Sequence, residues 1–253
     1  MIKLAQGKIP SEMIITWSSE EIALQGVSFY GLSTTDVQHH LKLNICELGI
    51  CVNVSSPESI SQYSFQSYVC KSGELLPLGS TYMGQGYYTS SYFHHLTLRN
   101  LTPATVYYYA VGDIKRGDMS VIHSFATLPP LGSNIMANGQ FQSIAIFSDS
   151  GVSAKVPLMN TDQFLQSEMP ETISNILRNS NISMVLHPGD MAYADGNAAL
   201  WDFYDIQNEI LTSKLPMHYS AGNHEQESSV GDVDRQNGDQ PFVFQGIVII
   251  KCI

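Results

Sequence analysis

Positive charge is scarce in this sequence. Its 253 residues carry 12 Lys+Arg against 23 Asp+Glu, a formal net charge of -11. Such a field repels nucleic-acid phosphates and anionic membranes, which argues against a nucleic-acid or membrane binder. Any site that handles phosphate must then be positive locally, through metal. Long hydrophobic runs are missing too: none approaches the roughly 18 residues that span a bilayer. The opening MIKLAQGKIPSEMIITW holds no sustained apolar segment with a small-residue cleavage site, so the protein either stays inside the cell or has its true N-terminus upstream. The four cysteines, Cys46, Cys51, Cys70 and Cys252, form no C-x-x-C pair. Zinc-finger and thioredoxin-like readings are thereby unsupported, and the cysteines are either free or paired.

Apolar content, by contrast, is ample. With 43% hydrophobic and only 14% charged residues, the chain can bury real cores in one or two domains, and disorder is not its default. Three N-x-[ST] sequons, at Asn53, Asn100 and Asn181, suit a secreted glycoprotein, although so short a pattern also arises by chance.

From residue 10 to about 128 the chain consists of short runs rich in Thr, Val, Ile, Tyr and Phe, broken by Gly, Pro and Ser, which predicts an antiparallel β-sandwich. Within LTPATVYYYAV, residues Leu101, Pro103, Thr105, Tyr107 and Val111 resemble the tyrosine corner of fibronectin type III domains, and Trp17 falls on an early strand. The doublets His39/His40 and His94/His95 read as strand histidines whose side chains point to opposite faces, not as metal pairs. Tyr107 to Tyr109 read as core and rim. The stretch LPPLGSNIMANGQ, residues 128–140, with two prolines, two glycines and two asparagines, reads as a linker.

Beyond it the pattern changes. FQSIAIFSDS, NISMVLHPGD and PMHYSAGNHE are apolar runs that each end in polar groups, with helical periodicity over 158–179, interrupted at Pro170, and in AALWDFYDIQNEILTSK. The alternation predicts β-α-β-α-β with parallel strands. In open α/β sheets ligands bind outside the carboxyl ends of the strands. Three such ends supply Asp149, then Asp190 and Tyr193, then Asn223 and His224. Taken singly, Asp149, Asp190 or Asn223 is more readily a turn former or helix cap. Three at successive strand ends point instead to a cation, since carboxylate, amide oxygen, phenol and imidazole suit hard and borderline metals, and a carboxylate can bridge two ions ~3.5–4 Å apart. His187, His218 and His123 read as core or rim histidines, Asp195 as a turn residue with Gly196, and Glu225 as closing the turn after His224.

D-x-G (149–151), GD-x-x-Y (189–193) and GNHE (222–225), in this order and on this strand pattern, resemble the first three of five motif blocks of the purple acid phosphatases, a family of dinuclear metallophosphoesterases. EMIITW, YTSSYFHHLTLRNLTPATVYYYAVGD and HSFATLP are similar to that family's β-sandwich domain. The resemblance implies a fibronectin type III-like domain over 1–128, a linker over 129–140, and over 141–253 the N-terminal part of a metallophosphoesterase α/β sandwich. It further implies hydrolysis of phosphate monoesters by a metal-bound hydroxide at an Fe(III)-M(II) site, M being Fe, Zn or Mn, in an acidic secretory, lysosomal or extracellular setting. Asp149 and Tyr193 would bind the ferric ion, Asp190 would bridge, Asn223 would bind the second ion, and His224 would hydrogen-bond the substrate phosphate.

The family's later histidine motifs, V-x-x-H and GH-x-H, have no counterpart, because no histidine follows His224. The expectation is therefore a family member cut off after GNHE, with an incomplete second metal site and one apolar sheet face left exposed. A truncated, inactive paralogue that binds a partner through its sandwich is the competing expectation. Ser148, where the family has glycine, is expected to crowd the turn that presents Asp149.

Overall fold

The structure is a computed structural model that describes residues 1–43, 51–53, 60–62, 64–69, 84–152, 168–193, 198–223 and 225, the side chains of 53, 64–69, 84–88 and 198–200 excepted. The first part contains β1 (Ile2–Gln6), β2 (Met13–Ser19), β3 (Gly26–Gly31), α1 (Thr34–Leu43), β4 (Cys51–Asn53), β5 (Ile60–Ser61), β6 (Ser64–Val69), β7 (Gly84–Thr89), β8 (Tyr92–Leu98), β9 (Val106–Asp113), β10 (Asp118–Met119) and β11 (His123–Ala126). The second part contains β12 (Ser143–Ile146), α2 (Met169–Arg178), β13 (Ile182–His187), α3 (Ala198–Thr212) and β14 (Met217–Tyr219).

One antiparallel sheet runs β1-β2-β8-β5 and a second runs β10-β9-β3-β4, with β11 also paired to β9. Alternation along each strand turns one row of side chains inward. Ile2, Leu4, Met13, Ile15, Trp17, Leu96 and Leu98 from the first sheet therefore meet Tyr107, Tyr109, Val111 and Phe125 from the second in one buried core. The tyrosine corner is present: the Thr102 N–H donates to Tyr107 Oη at 2.9 Å, which fixes the chain's entry into β9. Cys51 is disulfide-bonded.

Two parts of the sandwich differ from the expectation. The strand β1 lies upstream of the predicted sheet and pairs along its whole length with β2. The stretch 34–43 is a helix, α1, so His39 and His40 lie on a helix and the opposite-faces argument does not apply to them. It does apply to His94 and His95. His94 is buried and stacks on Trp17 with ring centroids 5.0 Å apart. On the other face His95 Nδ1 lies 3.0 Å from Thr16 Oγ1, and its Nε2 lies 3.2 Å from Ser61 Oγ.

The second part forms a parallel sheet in the order β12-β13-β14. One face is covered by α2 and α3: Met169, Ile173 and Ile176 bury against Val185, Met217 and Leu211. Pro170 stands in the first turn of α2, where its missing N–H has no intrahelical partner to lose, so it starts the helix and does not interrupt it. The opposite face carries Ile144 and Ile146, exposed by 47% and 68%.

The two parts are joined by buried bonds. Tyr109 Oη donates to Ser213 O at 2.8 Å, and Thr212 Oγ1 donates to Ile2 O at 2.7 Å. Lys3 pairs with Asp205 of α3 at 2.5 Å.

Candidate functional site

The parallel register places the carboxyl ends of β12, β13 and β14 side by side, with Ile146 opposite Leu186 and Leu186 opposite His218. A few residues beyond those ends come Asp149, Asp190 and Asn223. The loops that carry them continue the sheet's hydrogen bonding. Asp149 N–H donates to Gly189 O at 3.4 Å, Ser150 N–H to Asp190 O at 3.1 Å and Gly151 N–H to Met191 O at 2.7 Å. Ser220 N–H donates to His187 O at 3.0 Å.

These loops are held in an uncommon conformation. Asp149, Asp190 and Tyr193 have φ of 55°, 54° and 48°, the left-handed region that L side chains disfavour by about 1–2 kcal/mol each. Such strain gathers where surrounding structure holds a chain in one functional arrangement. Gly189, at φ 119°, and Gly222 leave room for backbone contact between two of the loops. A Cβ at Gly189 would stand 2.2 Å from Gly222 N, and one at Gly222 would stand 2.2 Å from Asp190 Oδ1.

The donors themselves meet in part. Tyr193 Oη donates to Asp149 Oδ1 at 2.7 Å, and Ser148 Oγ donates to Asp149 Oδ2 at 2.6 Å. Ser148 thus orients the carboxylate. Desolvation, this hydrogen bond and the charges of Asp149, Asp190 and Glu225 push the Tyr193 phenol up to about 12. A cation among those oxygens would reverse that sign, because it favours the ionised phenol. The donor pair, a phenol and a carboxylate within hydrogen-bond reach, is chemically suited to a hard, highly charged ion. Asn223 is exposed beside the Gly222 contact; His224, Asp195 and Gly196 lie outside the described residues. Among the described residues, no group of three or more His, Cys, Asp or Glu side chains is placed to hold a metal.

Beneath the loops lies a buried polar layer. His187 Nδ1 accepts from Gly189 N–H at 3.3 Å, so the ring proton sits on Nε2, which donates to Ser150 Oγ at 2.9 Å. Ser150 Oγ in turn donates to Met191 O at 3.0 Å. Burial pushes His187 down to about 4, against the raising influence of a backbone hydrogen bond, Asp149 and Asp190. Glu225, buried, accepts N–H bonds from Asp190 at 2.7 Å, Met191 at 2.8 Å and Gly222 at 2.8 Å. Reading the sequence missed this reach of Glu225 across 34 and 35 residues. For His187 a signal existed: the alternation of β13 turns Ser183, Val185 and His187 to the buried side.

A sequence model of the purple acid phosphatase N-terminal domain matches residues 1–127, half of the chain. The chain belongs to the purple acid phosphatase family. Purple acid phosphatase 15 of Arabidopsis thaliana is 32% identical over 161 residues, covering 54% of this chain and 27% of that protein. The A. thaliana protein named "Probable inactive purple acid phosphatase 24" is 25% identical over 228 residues, covering 89% and 32% respectively. Among solved structures, the purple acid phosphatase PPD1 from yellow lupin (Lupinus luteus) seeds matches with a TM-score of 0.60 and 24% identity, over 89% of this chain and 35% of that one. The chain thus spans about a third or less of the length of these relatives, and shares with the lupin protein an N-terminal domain followed by part of an α/β region.

Proposed function

We propose that this chain supplies the sandwich domain, 1–128, a linker, 129–140, and the beginning of the catalytic domain, 141–253, of a metal-dependent acid phosphatase acting on phosphate monoesters. Asp149 and Tyr193 would hold a ferric ion, Asp190 would bridge it to a divalent Fe, Zn or Mn held by Asn223, and His224 would hydrogen-bond the substrate phosphate. When bound, the ions supply positive charge that offsets the phosphate's and acidify water enough for it to act as nucleophile in acid. The chain's own part is positional. Ser148 orients Asp149, Tyr193 would release to solvent the proton it donates to Asp149, and the glycine contact keeps the loop of Asp190 against that of Asn223. The observation that carries this reading is the 2.7 Å contact of Tyr193 with Asp149 between residues held in left-handed backbone.

A second reading, a non-catalytic paralogue that binds a partner through its sandwich, is favoured by one specific observation. A relative named as inactive matches over 89% of the chain. Iron loading of the full chain decides between them. The phosphatase reading expects a visible charge-transfer band from Tyr193 and acid phosphatase activity that Asp190→Ala abolishes. Equal rates for both proteins, or no band at all, would leave the binding module.

A further inference from the structure

The loops after β13 and β14 turn three backbone N–H groups, those of Asp190, Met191 and Gly222, toward one point. Converging N–H groups of this kind form an anion site. In this chain the site is filled from within, by the carboxylate of Glu225, with Oε2 accepting from Asp190 and Gly222 and Oε1 from Met191. The backbones of the two loops are so close here that neither Gly189 nor Gly222 has room for a Cβ. A buried carboxylate with three N–H partners is well satisfied and geometrically fixed.

We propose that Glu225 is a positioning residue that holds the loop of Asp190 against the loop of Asn223 and thereby sets the distance between the two proposed metal sites. The role rests on the metal-centre reading above. It acts on the Asp190 backbone at both ends of that residue, through its own N–H and that of Met191, and so maintains the left-handed φ of 54° that aims the Asp190 side chain. The Gly222 bond ties the same carboxylate to the residue next to Asn223.

Glu225→Gln separates hydrogen bonding from packing, because glutamine has the same shape. Its one carbonyl oxygen will take the two-donor position, and its amide will face the Met191 N–H, donor against donor. Two measurements on the full chain test the role. In metal-free protein, amide hydrogen exchange at Met191 should accelerate at least tenfold in Glu225→Gln, and at Asp190, Met191 and Gly222 in Glu225→Ala. Titration with ferric iron alone, followed by the visible band, should give at least tenfold weaker binding for Glu225→Gln, with its melting temperature near that of the parent. Should Glu225→Ala fail to fold, Glu225→Gln carries the test. Unchanged iron affinity in a Glu225→Gln protein whose parent binds iron overturns the positioning role alone. A parent that takes up no iron overturns the metal-centre reading, and the role with it.

Discussion

Tyr193 Oη donates to Asp149 Oδ1 at 2.7 Å, a contact between residues 44 positions apart that lies at the surface. Exposed hydrogen bonds contribute about 1 kcal/mol or less to stability. Tyr193→Phe is therefore expected to leave the urea midpoint nearly unchanged while removing the visible band of iron-loaded protein. A Tyr193→Phe protein that kept the band would place the phenol elsewhere.

Gly189→Ala would drive a methyl into Gly222 N at a position with φ of 119°, where an L side chain is strained as well. Strain and overpacking together are expected to cost at least about 2–3 kcal/mol. Gly132→Ala is the control: φ is 85° but nothing stands within 4 Å, so only the backbone cost of about 1 kcal/mol applies. Chemical denaturation of both variants measures the difference, and similar losses would show that the contact between the loops contributes nothing.

His187 gives a pH dependence of definite sign. Its folded value, about 4, lies below the ordinary histidine value near ~6.5 in the unfolded chain, so the unfolded state takes the proton first. Stability from the neutral ring is complete above about pH 6.5, declines as pH falls and is gone below about pH 4, with a slope of at most ~1.4 kcal/mol per pH unit. Burial lowers His94, His95, His123 and His218 as well, which steepens the same acid limb. His187→Gln, whose amide can still donate to Ser150, should unfold more readily at pH 7 yet lose less on acidification. Parallel pH curves for variant and parent would contradict this.

Tyr107→Phe removes the acceptor of the Thr102 N–H and leaves that donor without it. A loss of about 1–2 kcal/mol is expected, read from guanidinium unfolding. No change would mean that the corner merely accompanies the turn.

The strand ends of the second part were legible because each apolar run stops at a polar residue that a buried strand cannot continue through. The helix α1 was not, since TTDVQHHLKL is mostly polar and buries only Val37, a pattern too thin to register against a background of strands. The strand β1 hid behind Gln6, an inward polar residue tolerated because its Nε2 donates to Ile9 O and Glu12 O, both at 2.8 Å. That Asp149, Asp190 and Asn223 follow three successive strand ends was readable from where the apolar runs stop. The left-handed backbone of Tyr193 was not, because tyrosine has no intrinsic liking for it, and Glu225 was misjudged because its partners at 190 and 191 are distant in sequence.

The bonds of Tyr109 to Ser213 and of Thr212 to Ile2 fall at the turn that feeds β14. Despite its prolines and glycines, the segment 128–140 is therefore no hinge between freely swinging bodies. The approach to the last of the three strands is thus anchored on the sandwich, and a lesion at Ile2 or Tyr109 is expected to loosen the chain just ahead of β14.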